Sequence, residues 1–273
     1  MKRILEGLIL QPIRVYASRI LQYPDIQLRL RNLEIAADVC IRNRTYVASD
    51  DVGFNGQSIR KKIFEALLSI IRFEAMVETG TEIGNTTGYM AEKAKLPIYT
   101  VESNPLFHSI AKMRLSSFAG IHFELSDSRE FIKKLAVSHL SNQCVFFYLD
   151  AHGYNELPLK EEIDLIARNW EKFVIMVDDF QVPNDRGYVY GNYGRNRVLC
   201  IEYIRGSLSQ YHLIPFFPSM PSEKETGHKR GCVVITRQGE FAERIAKLSS
   251  LVKAQGYEHL ATPDFNPVLP NRR

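Results

Sequence analysis

The chain has 273 residues, 45% of them hydrophobic and 24% charged, a composition that excludes a disordered tail, a coiled coil or a collagen-like fibre as the whole molecule. Its 35 basic and 31 acidic residues leave a net charge of +4 spread along the sequence without a basic stripe, so nucleic acid is not the expected partner. The four cysteines (Cys40, Cys144, Cys200, Cys232) lie far apart with no CxxC pair, which indicates neither a disulfide framework nor a zinc site and predicts a cytoplasmic protein.

The opening MKRILEGLILQPIRVYASRILQYP is interrupted by Glu6, Pro12 and Arg14 and has no small-residue cleavage site, so it does not read as a signal peptide. No stretch reaches the roughly 18 to 20 apolar residues that span a bilayer, and no membrane partner is expected. Residues 1–72 read as a mostly helical N-terminal extension; in SIRKKIFEALLSIIR the residues Ile59, Ile63, Leu67 and Ile70 recur at helical spacing. An apolar N-terminal helix often packs on a second subunit, which leaves a homodimer open. From Phe73 the pattern becomes AMVET, PIYTVE, IHFEL, CVFFYLD and FVIMVDD, each of the first four followed by an amphipathic helix. This predicts an α/β domain over 73–273 with a doubly wound, mostly parallel sheet. Asn104 before Pro105, Asp127 with Glu130, and Pro158 mark helix starts. Residues 180–197 are rich in Gly, Tyr and Asn and read as a loop. Two more strands are expected near 211–217 and 231–236, then a helix from Glu240 to about Leu251 and a loosely held tail, PDFNPVLPNRR.

Ligands of an open parallel sheet sit at the carboxyl ends of its strands. After the first strand comes Glu78-Thr79-Gly80-Thr81-Glu82-Ile83-Gly84, a glycine turn opening a helix whose free N–H groups face a polar ligand. After the second comes Glu102, 22 residues beyond Gly80, where a carboxylate can accept both hydroxyls of a ribose. The turn is not GxGxxG, which disfavours NAD. The fourth strand ends Asp150-Ala151-His152 and the fifth Asp178-Asp179, so three carboxylates are expected to converge. Such a group repels itself unless a cation joins it, and oxygen donors suit a hard divalent ion such as Mg²⁺.

VETGTEIGNTTGYM, VESNP, LSDSRE and FFYLDAHG together resemble the successive motifs of class I S-adenosylmethionine-dependent methyltransferases over residues 73–180. By that resemblance Glu78, Gly80, Thr81 and Gly84 lie along the methionine part of S-adenosyl-L-methionine, Glu102 takes the ribose, Asp127 and Ser128 lie near the adenine, and Asp150 borders the same pocket. Glu82 stands where the family has its middle glycine. The carboxylates resemble those of metal-dependent O-methyltransferases of the catechol and, more closely, the macrocin type. This implies Asp150, Asp178 and Asp179 as metal ligands, His152 as the catalytic base, and a hydroxyl of a small molecule or sugar as acceptor. Residues 51–57 look loosely like the loop that folds over the cofactor in catechol-type enzymes, and GYVYGNYGR at 187–195 suits a lid with Tyr188, Tyr190 and Tyr193 as walls. Two rivals stay open: a methyltransferase acting on RNA or protein, which the HKR cluster at 228–230 permits, and a non-catalytic S-adenosylmethionine-binding protein.

Overall fold

The computed structural model describes residues 53–153 and 156–254. The expected helices before residue 53 and the tail from 255 lie outside the described residues, as do Cys40 and the first two residues of the 51–57 segment. Eight strands form one sheet: β1 (Ala75–Thr79), β2 (Ile98–Glu102), β3 (Ile121–Leu125), β4 (Val145–Leu149), β5 (Phe173–Val177), β6 (Leu213–Pro218), β7 (Val233–Arg237) and β8 (Leu251–Lys253). Their order is β3-β2-β1-β4-β5-β7-β6-β8. The first five are mutually parallel, while β7 runs antiparallel to β5, and β6 runs antiparallel to both β7 and β8. The predicted doubly wound, mostly parallel sheet is therefore the observed one.

The helices are α1 (Ser58–Ile70), α2 (Asn85–Ala94), α3 (Pro105–Arg114), α4 (Ser128–Ala136), α5 (Leu159–Asn169), α6 (Ile201–Gln210) and α7 (Glu240–Ile245). The central strands VFFYL and FVIMV are buried throughout, as continuous apolar runs covered on both faces should be. Successive side chains point to opposite faces. Val77, Phe147, Leu149, Ile175 and Val177 pack with Phe131, Ile163, Trp170 and Ile204 on one side. Met76, Phe146, Tyr148, Val174 and Met176 pack with Ile63, Phe64 and Leu67 of α1 on the other, so this helix is part of the sheet's own core. The cap predictions hold locally: the Asn104 side chain accepts from the N–H groups of Leu106 and Phe107, and Asp127 accepts from those of Arg129 and Glu130.

Two expectations change. The last helix ends at Ile245, six residues short of Leu251, and Leu251–Lys253 instead pairs with β6 as an edge strand. Ser249 and Ser250, weak helix formers, lie just before it and satisfy the chain through Ser219, whose N–H and hydroxyl donate to their carbonyls. Helix α6 had no counterpart in the sequence reading. Gly206, Ser207 and Ser209 lower its propensity, yet its buried Ile201, Ile204 and Leu208 carry the helical spacing that would have found it. Among the described residues no helix is long and apolar enough to cross a membrane.

Register sets the level of the cleft. Thr79 pairs with Leu149, and Leu149 with Val177, so Gly80, Asp150 and Asp178 leave the sheet at one height. The chain goes to β2 on one side of β1 and to β4 on the other, which makes the top of β1 and β4 the switch point where a crevice opens.

Candidate active site

The crevice at that switch point has a volume of about 660 Å³ and is bordered by Gly80, Glu102, Phe107, Asp150, His152 and Asp179 among others. A smaller pocket of about 240 Å³ adjoins it under Gly53, Asn55, Thr81 and Thr86. Together they have the size of an organic cofactor site. Gly80 is the floor: its φ is +86°, and a Cβ there would meet the Asp150 carbonyl oxygen at 2.5 Å. Only glycine allows the turn to lie this close to the end of β4. Glu82, two residues further on, has φ +49°, so a non-glycine residue keeps the left-handed turn at a cost of roughly 1–2 kcal/mol.

Each carboxylate has an identifiable set of partners. Glu102 accepts from the Glu82 N–H at 2.8 Å and from the Asn104 N–H at 2.8 Å, one to each oxygen, which aims it across the mouth of the glycine turn. Glu78 does not face the crevice: it is fully buried beneath the loop, where its Oε2 accepts from the Thr87 and Thr100 hydroxyls and its Oε1 has no partner. Burial lifts its carboxyl to about 7, against the pull of the Thr100 and Thr87 hydroxyls, and Glu102 adds to the rise. Glu78, expected along the methionine part of the cofactor, thus sits beneath the glycine turn and braces it through Thr87 and Thr100. Gly84 likewise lies under the loop, as the left-handed cap of α2 against Leu115. Thr81 borders the smaller pocket and shares a hydrogen bond with Thr100. Asp127 borders the crevice but is held by its cap and by Arg129, which draws it below the usual carboxylate range. Ser128 also borders it, with the buried Glu162 next to its hydroxyl.

At the other side stand the three aspartates. Asp178 is 1% exposed and ion-paired with Arg60 of α1, also 1% exposed; its Oδ2 accepts from the Tyr148 hydroxyl at 2.6 Å and from Asn55 at 3.2 Å. Burial disfavours its charge, but Arg60 and the Tyr148 hydroxyl outweigh that and hold it below the ordinary carboxylate range. Asp179, in a left-handed backbone with φ +52°, accepts from Arg230 at 2.6 Å. Burial together with Asp178 and Asp179 pushes Asp150 well above the ordinary range. His152 lies between: its Nε2 is 3.5 Å from Asp150 Oδ1 and 3.4 Å from Asp179 Oδ2, is buried, and makes no hydrogen bond. An unsatisfied buried nitrogen at the edge of a crevice is available for proton exchange.

The carboxylate trio does not fit a divalent cation. Asp178 and Asp179 are already met by guanidinium groups, and among the described residues no group of three or more His, Cys, Asp or Glu side chains is arranged to hold a metal. Asp150, Asp178 and Asp179, the expected metal ligands, lie at one end of the sheet, where Arg60 is the counter-ion of Asp178 and Arg230 that of Asp179, while Asp150 has His152 as its neighbour.

Loop 180–197 is stitched rather than free. Its backbone N–H groups at Gln181, Val189, Gly191 and Tyr193 all donate to carbonyls. Tyr188 is buried, with its hydroxyl on the Met220 carbonyl, and so belongs to the core. Tyr193 does reach the site, its ring centroid 6.2 Å from that of His152. Arg60 of α1 was missed in the sequence, whereas Asn55 lies in the 51–57 segment and His228 and Arg230 in the HKR cluster, which the sequence marks only as permitting an RNA or protein substrate. Glu225 ties the two segments, accepting from the Ile59 N–H at 2.8 Å and the Arg60 N–H at 3.3 Å at the start of α1. The HKR cluster was the only signal for this loop.

No family model matches the sequence, and no curated protein matches it. Solved structures of similar chain path include an O-methyltransferase from Bacillus cereus in complex with SAH, 14% identical over 83% of this chain and 97% of that one, with a TM-score of 0.48. A protein from Klebsiella pneumoniae assigned as an O-methyltransferase is 15% identical over 83% and 95%, at 0.49. An N-methyltransferase from Bradyrhizobium japonicum is 14% identical over 64% and 90%, at 0.44. Likenesses at these identities and scores carry no weight for the acceptor or the reaction, and the fold rests on the strand order and register above.

Proposed function

We propose that the protein is an S-adenosylmethionine-dependent methyltransferase acting on a hydroxyl of a small molecule or sugar. The observation that carries this reading is the convergence, at the switch point of the sheet, of a glycine turn pressed on Asp150, a carboxylate (Glu102) steadied across that turn by two backbone N–H groups, and a buried imidazole with an unsatisfied nitrogen. When bound, S-adenosylmethionine supplies an electrophilic methyl group on a sulfonium centre.

The residues supply the rest. Glu102 accepts hydrogen bonds from ribose hydroxyls while its own backbone donors fix its direction. The Gly80 turn lets main chain approach the ligand where a side chain would block it. Phe107 gives the crevice an apolar wall. His152, between Asp150 and Asp179, takes the proton of the acceptor hydroxyl at Nε2, which would leave that oxygen free to accept the methyl group the cofactor would supply. Tyr193 walls the acceptor side.

Calorimetric titration with S-adenosylhomocysteine, S-adenosylmethionine and NADH tests the reading. It expects binding of the two sulfur compounds only, weakened at least tenfold in Glu102→Ala. Absence of both signals overturns it. In a panel of hydroxyl acceptors, His152→Ala should lose about 10²- to 10⁴-fold in turnover while keeping S-adenosylhomocysteine affinity.

A further inference from the structure

Three carboxylates at one end of a sheet demand positive charge, and the fold delivers it from two distant segments. Arg60 comes from 118 residues before Asp178, and Arg230 from 51 residues after Asp179. The two arginines are also joined to each other: while one nitrogen of Arg60 serves Asp178, the other donates to the Arg230 carbonyl at 2.5 Å and the Gly231 carbonyl at 3.0 Å. Arg60 therefore fixes the backbone from which Arg230 reaches Asp179. Tyr148 and Asn55 occupy the second oxygen of Asp178, so no face of that carboxylate is left toward the crevice.

We propose that Arg60 and Arg230 stand in the electrostatic place of a divalent cation, so that this cleft excludes Mg²⁺ and Mn²⁺ and its chemistry proceeds without bound metal. A planar guanidinium matches a carboxylate with directed N–H donors and keeps its charge at every working pH. It neutralises without offering an open coordination position, so the hydroxyl acceptor loses its proton to His152 with no metal to polarise it. Arg60 and Arg230 are positioning residues, acting through Asp178 and Asp179. The inference rests on the methyl-transfer reading of the same cleft, but its test does not.

The test is Mn²⁺ uptake by the full chain, followed by electron paramagnetic resonance and calorimetry, on the wild type, Arg230→Gln, Arg230→Lys and Asp179→Asn. Arg230 is the chosen site because its side chain is 37% exposed, whereas Arg60 is buried and its loss threatens folding. The expected result is no saturable uptake at millimolar Mn²⁺ by the wild type and Arg230→Lys, and at least tenfold tighter uptake by Arg230→Gln. Stoichiometric uptake by the wild type that disappears in Asp179→Asn overturns the proposal. So does equal exclusion by the wild type and Arg230→Gln, because the guanidinium would then not be what excludes the ion. S-adenosylhomocysteine titrated into the same samples keeps the two readings apart: failure to bind it fells the methyl-transfer reading and leaves the Mn²⁺ result standing.

Discussion

On the β1–β2 side of the cleft, Glu78 and Glu102 meet neutral donors, the hydroxyls of Thr87 and Thr100 and the backbone N–H groups of Glu82 and Asn104. On the β4–β5 side, Asp178 and Asp179 meet the guanidinium groups of Arg60 and Arg230. Neutral donors orient Glu102 and leave its charge to act on a ligand, whereas a guanidinium cancels the charge of Asp178 or Asp179 and fixes the group in place. The first half is thereby suited to hold a polar nucleoside. The second is suited to hold an imidazole for proton transfer inside an acidic cluster without a strong net field.

The contrast can be broken at several points. Gly80→Ala puts a methyl group against the Asp150 carbonyl at a φ of +86°; strain and overlap each cost about 1–3 kcal/mol. It should abolish S-adenosylhomocysteine binding by calorimetry and lower the melting temperature, and unchanged affinity would refute the placement of the turn. Arg60→Met leaves a buried aspartate without its cation and should lose about 3–5 kcal/mol in urea unfolding. A loss under 1 kcal/mol would show that Asp178 does not depend on Arg60.

On the neutral side the signature is pH. Glu78 titrates at about 7 when folded, above its ordinary carboxyl value when unfolded, so the folded chain holds the extra proton between the two. Its contribution is full at acid pH and is lost as pH rises through about 7, a fall of about 3 kcal/mol. Glu78→Gln should remove that slope from a pH series of unfolding curves; an identical slope would assign it to another group. The smallest effect is expected at Arg129→Ala, which breaks a partly exposed pair with Asp127 and should change stability by about 0–1 kcal/mol.

What could be read from the sequence follows this same division. Strands β1 to β5, the caps at Asn104 and Asp127, and the neutral half of the cleft depend on residues close together in the chain, where periodicity and spacing carry the information. The spacing from Gly80 to Glu102 placed both at the crevice. The counter-ions of the aspartates were hidden because Arg60 and Arg230 reach them across 118 and 51 residues, a distance no local pattern reports. Glu78 shows the limit within a motif: it adjoins the glycine turn in sequence, but both faces of β1 are covered, and the hydroxyls of Thr87 and Thr100 hold its side chain beneath the loop. The end of the last helix was misread because sheet pairing with β6 overrode the helical pattern beyond Ile245.

The most direct test of the account is a crystal structure of the protein grown with S-adenosylhomocysteine. The account predicts ribose hydroxyls on Glu102, the sulfur near Gly80 and Asp150, and Asp178 still paired with Arg60. A nucleoside bound away from the β1–β4 switch point, or a cleft empty at saturating ligand, would contradict it.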